Sequence, residues 1–233
     1  MINSRITLFG DSLGKGIVTF GNERKVAENN AVKLFEKKYS VSIDNRSRFG
    51  ETLARSACRG VFKKFAESFD RSQKNAVVIE LGNNDCSYDW RSVAKDPNAA
   101  HTSFSTLEDF TMQYEKTVED LRASGAEVFC CSLVPINAKR YFDNVIGSLC
   151  DKEKVLEFFK GDYTVIYRHH EMFSNAVTAL CKSLQVPLID LRTPFLDELD
   201  LNGLLCGDGI HPNELGQKKM FEAVCKFTES YLA

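Results

Sequence analysis

One segment of the chain, residues 76–81 (AVVIEL), has the composition of a strand that is buried on both faces. Its continuous run of β-branched and apolar residues is typical of a central strand in a parallel sheet, which helices cover on both sides. The strand ends in a turn of glycine and small polar residues, 82–85 (GNND). Ligands of α/β sheets bind at the carboxyl ends of the strands, so this turn is a candidate part of a site.

Strands and helices alternate along the rest of the chain. Apolar patterns predict further strands at residues 6–9, 39–43, 126–133 and 187–191. The helical spacing of apolar residues predicts helices at residues 31–38, 107–124, 168–184 and after residue 212. Five strand–helix units with right-handed crossovers make an α/β fold, a three-layer α/β/α sandwich around a five-stranded parallel sheet. No linker interrupts the pattern, so one domain over residues 1–233 is expected.

The composition argues against several classes of function. The 233 residues carry a net charge of −2 and no cluster of lysines and arginines, which disfavours a nucleic-acid partner. No apolar stretch is long enough to span a membrane, and residues 1–5 show no signal peptide, so a cytoplasmic protein is expected. The eight cysteines are scattered and the four histidines lack ligand spacing, which indicates free thiols and no metal site.

The first predicted strand opens onto a serine between two glycines, in residues 10–14 (GDSLG). The glycines resemble a phosphate-binding loop, but three residues separate Gly10 from Gly14, where that loop has four. Asp11 would also place a negative charge where a phosphate must approach. Nucleotide binding is therefore disfavoured, and Ser12 is a candidate nucleophile at the end of a strand.

A histidine and an aspartate stand near the end of the chain, in residues 206–216 (CGDGIHPNELG). The residue before a proline is held out of α geometry, so His211 is expected at a junction between a loop and a helix. Pro212 is expected at the first position of that helix. Asp208 precedes His211 by three residues in a turn that contains glycine, so its carboxylate can reach the imidazole Nδ1–H.

Together these residues supply the parts that serine ester hydrolysis requires, which are a nucleophile, a base, an acid that orients the base and donors for the oxyanion. Ser12 is the candidate nucleophile, His211 the base and Asp208 the orienting acid. Gly50 opens a helix, where a backbone N–H favours negative charge. The N–H groups of Ser12 and Gly50 and the side-chain amide of Asn84 are the candidate oxyanion donors.

Four short blocks of the chain resemble those of the SGNH, or GDSL-type, hydrolase family. They are residues 10–13 (GDSL), 49–50 (FG), 82–85 (GNND) and 208–211 (DGIH), in the family's order along nearly the whole chain. The resemblance implies a flavodoxin-like fold with strand order 2-1-3-4-5. It also implies the same catalytic and oxyanion residues, an acyl-enzyme mechanism, and no metal or other cofactor.

Other residues near these blocks have open roles. Candidate substrate-pocket residues are Asp11, Asn83 and Trp90. The Asp11 carboxylate can equally orient the serine loop or cap the turn that follows it. The long polar connection 86–106 is expected to lie over the site, to be mobile or to serve an interface. The apolar residues within 137–161 either line an acyl pocket or close the core, and the histidines 169–170 are interpreted as polar residues at a helix end.

The leading functional hypothesis is a serine esterase that removes a short acyl group, such as an O-acetyl, from a small or carbohydrate substrate. A short chain is favoured because the sequence shows no long apolar lid. A lysophospholipase or an acyl thioesterase of the same family is the alternative enzyme, and burial of a longer chain along Tyr141, Phe142 and Phe158 would support it. A non-catalytic module that binds a sugar or an ester is the alternative from another class, because a fold alone does not establish activity.

Overall fold

The structure, a computed structural model, describes residues 5–21, 23–68, 70 and 72–233. The strands of these residues are, in chain order, β1 (Arg5–Gly10), β2 (Ile17–Phe20), β3 (Glu23–Val26), β4 (Ile43–Asn45), β5 (Asn75–Glu80), β6 (Glu127–Cys131) and β7 (Leu188–Ile189). The helices are α1 (Ala31–Tyr39), α2 (Leu53–Cys58), α3 (Val61–Ser68), α4 (Trp90–Lys95), α5 (Leu107–Ala123), α6 (Ala138–Arg140), α7 (Gly147–Leu149), α8 (Lys152–Phe158), α9 (Val165–Ser183), α10 (Thr193–Leu196) and α11 (Glu214–Leu232). A π-helical segment, Tyr141–Ile146, joins α6 to α7, and a 3₁₀ turn spans Leu201–Gly203.

Five strands form one parallel sheet in the order β4-β1-β5-β6-β7. Numbered within the sheet alone, this order is 2-1-3-4-5, so the predicted α/β/α sandwich and its strand order are confirmed. The run of apolar residues at 76–81 places β5 at the centre of the sheet, between β1 and β6. Ala76, Val77 and Ile79 of this strand have no exposed surface, as expected of a strand that is covered on both faces.

Two hydrophobic clusters cover the two faces of the sheet. Side chains alternate across a strand, so Val77 and Ile79 join the cluster under α2, α3, α5 and α9. Ala76 joins the opposite cluster, which α1, α10 and α11 cover. Six of the eight cysteines are buried as free thiols. None of the described helices combines the length and the apolar character that crossing a membrane requires.

The second strand of the sheet begins later than predicted. The pattern at residues 39–43 predicts a strand, but Tyr39 ends α1, and of these residues Ile43 alone lies in β4. The Tyr39 ring packs on Phe35, one turn earlier in the helix, with the ring centroids 4.6 Å apart. Ser40 then takes a left-handed conformation, with a φ of 52°, and ends the helix. The strand therefore begins at Ile43 rather than at Tyr39.

An antiparallel hairpin of β2 and β3 lies outside the main sheet and has no counterpart among the predicted elements. Its strands pair Thr19 with Arg24. The residues of β3 are all exposed, whereas most of β2 is buried. Val18 packs against Cys206 in a small cluster of its own. The hairpin is thus anchored on the loop that carries Asp208 and His211.

The connections 86–106 and 137–161 pack against each other beside the sheet. The first contains α4, and the second contains the elements from α6 to α8. Their apolar side chains form a third hydrophobic cluster, which includes Trp90, Val93, Phe142, Val155 and Phe159. The connection 86–106 is therefore not polar throughout, because α4 buries an apolar face in this cluster.

The carboxyl-terminal helix begins two residues later than predicted. Pro212 is not its first residue, since α11 begins at Glu214. The Asn213 side chain caps the helix by accepting hydrogen bonds from the N–H groups of Leu215 at 2.9 Å and Gly216 at 3.1 Å. Asparagine is among the strongest helix caps, and this cap outweighs the preference of proline for the first turn.

Replacing the cap should destabilise the fold measurably. Asn213→Ala removes both hydrogen bonds to the helix start and should lower the free energy of unfolding by about 1–2 kcal/mol. Urea denaturation followed by circular dichroism measures this difference. Lys226→Ala, an exposed substitution on the same helix, is the control, and an equal effect of the two substitutions would contradict the capping role.

Candidate active site

The turn after β1 places Ser12 at the carboxyl edge of the sheet. This turn depends on glycine at two positions, because a Cβ at Gly10 or Gly14 would lie 2.8 or 3.0 Å from Glu80 Oε2. The Ser12 side chain is largely buried, with 5% of the residue exposed. The two glycines therefore let the serine turn close directly over the side chain that ends β5.

A buried carboxyl group fixes this turn by accepting hydrogen bonds from its backbone. Glu80 Oε2 accepts hydrogen bonds from the N–H groups of Asp11 at 3.2 Å and Gly14 at 3.0 Å. Glu80 Oε1 accepts a third bond, at 2.9 Å, from the amide of Asn83. Burial, together with the neighbouring Asp11 carboxylate, raises the pKa of Glu80 well above its usual value. The serine turn is thus fixed by strand β5 rather than by the turn alone.

The predicted acid, base and nucleophile form one hydrogen-bonded series. Asp208 Oδ1 accepts the backbone N–H groups of Ile210 and His211, both at 3.0 Å, which closes the turn. Asp208 Oδ2 accepts the His211 Nδ1–H at 2.7 Å. Ser12 Oγ then lies 2.9 Å from His211 Nε2, the ring nitrogen that remains free to accept its proton. Residues 199 positions apart in the chain are therefore brought into contact.

The Asp208 carboxyl group is held in its ionised form. Burial opposes ionisation, but the hydrogen bonds from His211 and Thr19 outweigh it and lower the pKa of Asp208 to about 2. An ionised carboxylate fixes the proton on Nδ1 of the imidazole and stabilises an imidazolium when it forms. This geometry and charge suit the role of orienting acid.

A further side chain at this carboxylate, Thr19 of the hairpin, was not among the candidates. Thr19 Oγ1 donates to Asp208 Oδ2 at 2.6 Å, so this oxygen accepts from both Thr19 and His211. Its burial reflects the packing of β2 on the loop around residue 206. The sequence shows no motif at Thr19, because its role depends on a contact across 189 positions.

The predicted oxyanion donors lie on three different segments. Gly50 has a φ of +67°, which favours glycine, and a Cβ there would meet only open space. Within the described residues, no acceptor is bonded to the N–H of Ser12 or of Gly50. Asn84 Nδ2 lies 3.1 Å from Asp11 Oδ2 and 3.0 Å from the Glu51 carbonyl oxygen. A substrate oxygen must therefore share or displace one acceptor of the Asn84 amide.

Asp11 closes the serine turn and also holds two side-chain amides. Its Oδ1 accepts the N–H of Leu13 at 2.8 Å and closes the serine turn. Its Oδ2 accepts the side-chain amides of Asn83 and Asn84, each at 3.1 Å. Asp11 is completely buried, and this burial raises its pKa to about 6. It lies behind the site and orients the Asn84 amide, whereas it does not line the adjacent cavity.

A small cavity of about 60 Å³ lies beside Ser12. Asn83 and Trp90, the other candidate pocket residues, line it. The rest of its wall is mostly apolar and includes Tyr141, Phe159, Ile166 and His169. Within this wall, the Tyr141 hydroxyl accepts the Trp90 Nε1–H at 2.9 Å. The two long connections thus close one side of the site.

The histidines at 169 and 170 do not lie at a helix end as predicted. Helix α9 begins at Val165, so both residues lie in its second turn and face the site. His170 is buried and donates from Nε2 to Asn83 Oδ1 at 3.2 Å. Burial lowers the pKa of His170 to about 3, which keeps the ring neutral. His169 Nδ1 donates to the Cys86 carbonyl oxygen at 2.9 Å.

Removing the Thr19 hydroxyl should slow catalysis without unfolding the protein. Thr19→Val keeps the shape of the side chain but removes a hydrogen bond to a charged oxygen, so kcat/KM should fall roughly tenfold. Thr19→Ser retains the donor and should restore most of the rate. Steady-state kinetics measure both variants, and unfolding in urea controls for stability. Equal losses in the two variants would contradict a role for the hydroxyl.

The activity should fall on the acid side as Asp11 becomes protonated. Asp11 loses its charge as the pH falls through about 6. Protonated Asp11 holds the Asn84 amide less firmly, so its protonation lowers kcat/KM. Asp11→Asn should lower kcat/KM at pH 8 by roughly tenfold and make the acid limb shallower.

The pH–rate profile of kcat/KM measures this effect, with Asp120→Asn on the exposed face of α5 as a matched control. A wild-type profile that stays flat as the pH falls through about 6 would contradict the role of the Asp11 charge. An acid limb of equal steepness in Asp11→Asn would contradict the contribution of Asp11.

Comparisons with known proteins show which family the chain belongs to. The model of the GDSL-like lipase/acylhydrolase family matches residues 8–219. Among solved structures, a lipase/acylhydrolase from Enterococcus faecalis is similar over 98% of this chain and 96% of its own, with 15% identity and a TM-score of 0.66. The psychrotrophic esterase EstA from Pseudoalteromonas sp., in a form inhibited by monoethylphosphonate, is similar over 99% and 98%, with 19% identity and a TM-score of 0.62.

A catalytic mutant of Axe2, an acetylxylan esterase from Geobacillus stearothermophilus, is similar over 96% of this chain and 93% of its own. Its identity is 14% and its TM-score 0.64. At such identities these three structures establish a shared fold. No curated protein sequence matches the chain. Because the family model spans nearly the whole sequence, the chain belongs to the GDSL-like lipase/acylhydrolase family and is a hydrolase of the SGNH type.

Proposed function

We propose that this protein is a serine esterase that cleaves a carboxylic ester with a short acyl group through an acyl-enzyme intermediate. The observation that carries the proposal is the hydrogen-bonded series from Asp208 through His211 to Ser12, with distances of 2.7 and 2.9 Å. These distances lie in the range for a nucleophile with its general base and for a base with its orienting acid.

The reaction proceeds in two halves. His211 Nε2 takes the Ser12 hydroxyl proton as Oγ attacks the ester carbonyl carbon, and the N–H groups of Ser12 and Gly50 with the Asn84 amide stabilise the oxyanion. The imidazolium then protonates the departing alcohol, which leaves the acyl group on Ser12. In the second half, His211 activates a water molecule that attacks the acyl-enzyme and releases the carboxylic acid.

The size of the cavity supports a short acyl group. An apolar cavity of about 150 Å³ holds a benzene molecule, whereas the cavity beside Ser12 measures about 60 Å³. Two or three heavy atoms fill such a space, which suits an acetyl group. The likeness in fold to an acetylxylan esterase favours the same choice. An O-acetyl ester of a small or carbohydrate molecule is therefore the proposed substrate.

A series of p-nitrophenyl esters, from acetate to long-chain acyl groups, tests the proposal. Turnover should be highest for the shortest acyl groups and should vanish in Ser12→Ala while the fold is retained. Phe159→Ala enlarges the cavity and should shift the optimum toward longer chains, since each buried methylene is worth about 0.8 kcal/mol. A dependence on chain length that Phe159→Ala leaves unchanged would contradict this cavity as the acyl site.

The other outcomes of this series identify the alternatives. A wild-type optimum at long chains would favour the lysophospholipase or the acyl thioesterase. Folded wild-type protein that turns over none of the esters would contradict an esterase of broad alcohol tolerance and favour a binding module.

A further inference from the structure

The side of His211 that faces away from the acyl cavity carries an exposed aromatic ring. The Phe49 ring stacks on the His211 ring, with centroids 5.9 Å apart and planes inclined by 18°. Phe49 is 44% exposed, so part of its apolar surface remains accessible beside the base. The cavity beside Ser12 is walled by other segments, chiefly residues 83–90 and 136–170. The site therefore has two separate sides.

Two guanidinium groups contact the loop that carries this ring. The Arg24 guanidinium carbon lies 4.3 Å from the centre of the Phe49 ring. Arg55 Nη1 donates to the Gly50 carbonyl oxygen at 3.0 Å, which holds its charge at the next residue of the same loop. Both groups are thus fixed by contacts to residues 49–50, the segment that supplies a proposed oxyanion donor. We call Arg24, Phe49 and Arg55 the basic rim.

The positive charges of the basic rim are not neutralised by the protein. Neither Arg24 nor Arg55 forms an ion pair with a described carboxylate, whereas Arg46 and Arg59 nearby are each paired. Cross-strand pairing with Thr19 directs Arg24 toward the site, because paired residues share a face of the hairpin. The chain as a whole carries a net charge of −2, so this local positive charge is not a consequence of a basic composition.

We propose that the alcohol part of the substrate carries an anionic group, a carboxylate or a phosphate, which the basic rim binds. This inference rests on the proposed esterase function. The small cavity accommodates the acyl group, so the larger alcohol part lies on the open side of His211, against Phe49. Guanidinium groups form paired, charge-assisted hydrogen bonds with carboxylate and phosphate, and the exposed ring supports an apolar or sugar surface of the same molecule.

The position of the two arginine charges is also compatible with release of the alcohol. The alcohol oxygen leaves with the proton from His211, and the anionic group elsewhere on the alcohol remains unchanged in charge. The basic rim attracts the negatively charged ester before the reaction and raises its local concentration near Ser12. Because both arginines are exposed, the effect should be modest and should weaken as the ionic strength increases.

Three acetyl esters with related phenolic leaving groups test the proposal. They are 4-acetoxybenzoate, which carries a carboxylate, 4-acetoxyphenyl phosphate, and the neutral methyl 4-acetoxybenzoate. The quantity to measure is the ratio of kcat/KM for each anionic ester to that for the neutral ester. Intrinsic reactivity differs among the esters, but it is the same for every variant, so it cancels when ratios are compared between variants.

Arg24→Gln and Arg55→Gln should each lower this ratio by about three- to tenfold, and added salt should lower it in the wild type. Arg24→Lys keeps the charge and should retain most of the ratio. Lys74→Gln removes a positive charge just before β5, at the opposite edge of the sheet, and should leave the ratio unchanged. The anionic ester with the higher ratio identifies carboxylate or phosphate as the preferred group.

Two outcomes would overturn the proposal in different ways. If Arg24→Gln and Arg55→Gln leave the ratio unchanged while the wild type hydrolyses all the esters, the esterase function stands and the anionic substrate is wrong. If the folded wild type hydrolyses none of the three acetyl esters, the proposed function itself fails. Equal losses on anionic and neutral esters would show that the arginines support the loop rather than bind charge, which also contradicts the proposal.

Discussion

The arrangement of the site depends on the hydrogen bonds that the Asp208 carboxylate accepts. It accepts four hydrogen bonds, two from the backbone of its own turn and one each from Thr19 and the His211 ring. These bonds join the hairpin, the loop before α11 and the base into one unit. A buried charge is tolerated only when it is fully bonded, so loss of any one donor should disturb the orientation of His211 toward Ser12.

On the other side of Ser12, the burial of two carboxyl groups, those of Asp11 and Glu80, lowers the stability of the fold at neutral pH. Burial raises the pKa of Asp11 to about 6, and that of Glu80 is raised as well. Their contribution to the free energy of unfolding is therefore present at low pH and is lost as the pH rises through their pKa values in the folded protein. Asp208 acts in the opposite sense, since its lowered pKa contributes stability that is lost as the pH falls toward 2. Carboxyl groups whose pKa values are shifted in opposite directions are typical of functional sites, where the orientation of the reacting groups is favoured over stability.

Much of the fold could be predicted because its signals are local. The run at residues 76–81 identifies a central strand by composition alone. The four family blocks identify Ser12, Gly50, Asn84, Asp208 and His211 as candidate site residues. Thr19 carried no such signal, because its contact with Asp208 spans 189 positions and the hairpin was not predicted. His170 is not a helix-end residue, because α9 begins three residues before the predicted start at Arg168. It is buried because it lies three residues before Phe173, on the same apolar face of the helix. The cavity, likewise, is formed by two connections whose mutual packing no periodicity encodes.

The most direct test of Ser12 as the nucleophile is covalent labelling of the resting protein by a serine-directed phosphonate, read by mass spectrometry of its peptides. We expect one phosphonyl group per chain, attached to Ser12, and much slower labelling of a folded His211→Ala variant because the base is absent. Folded wild-type protein that remains unlabelled, or that is labelled at another serine, would contradict Ser12 as the activated nucleophile.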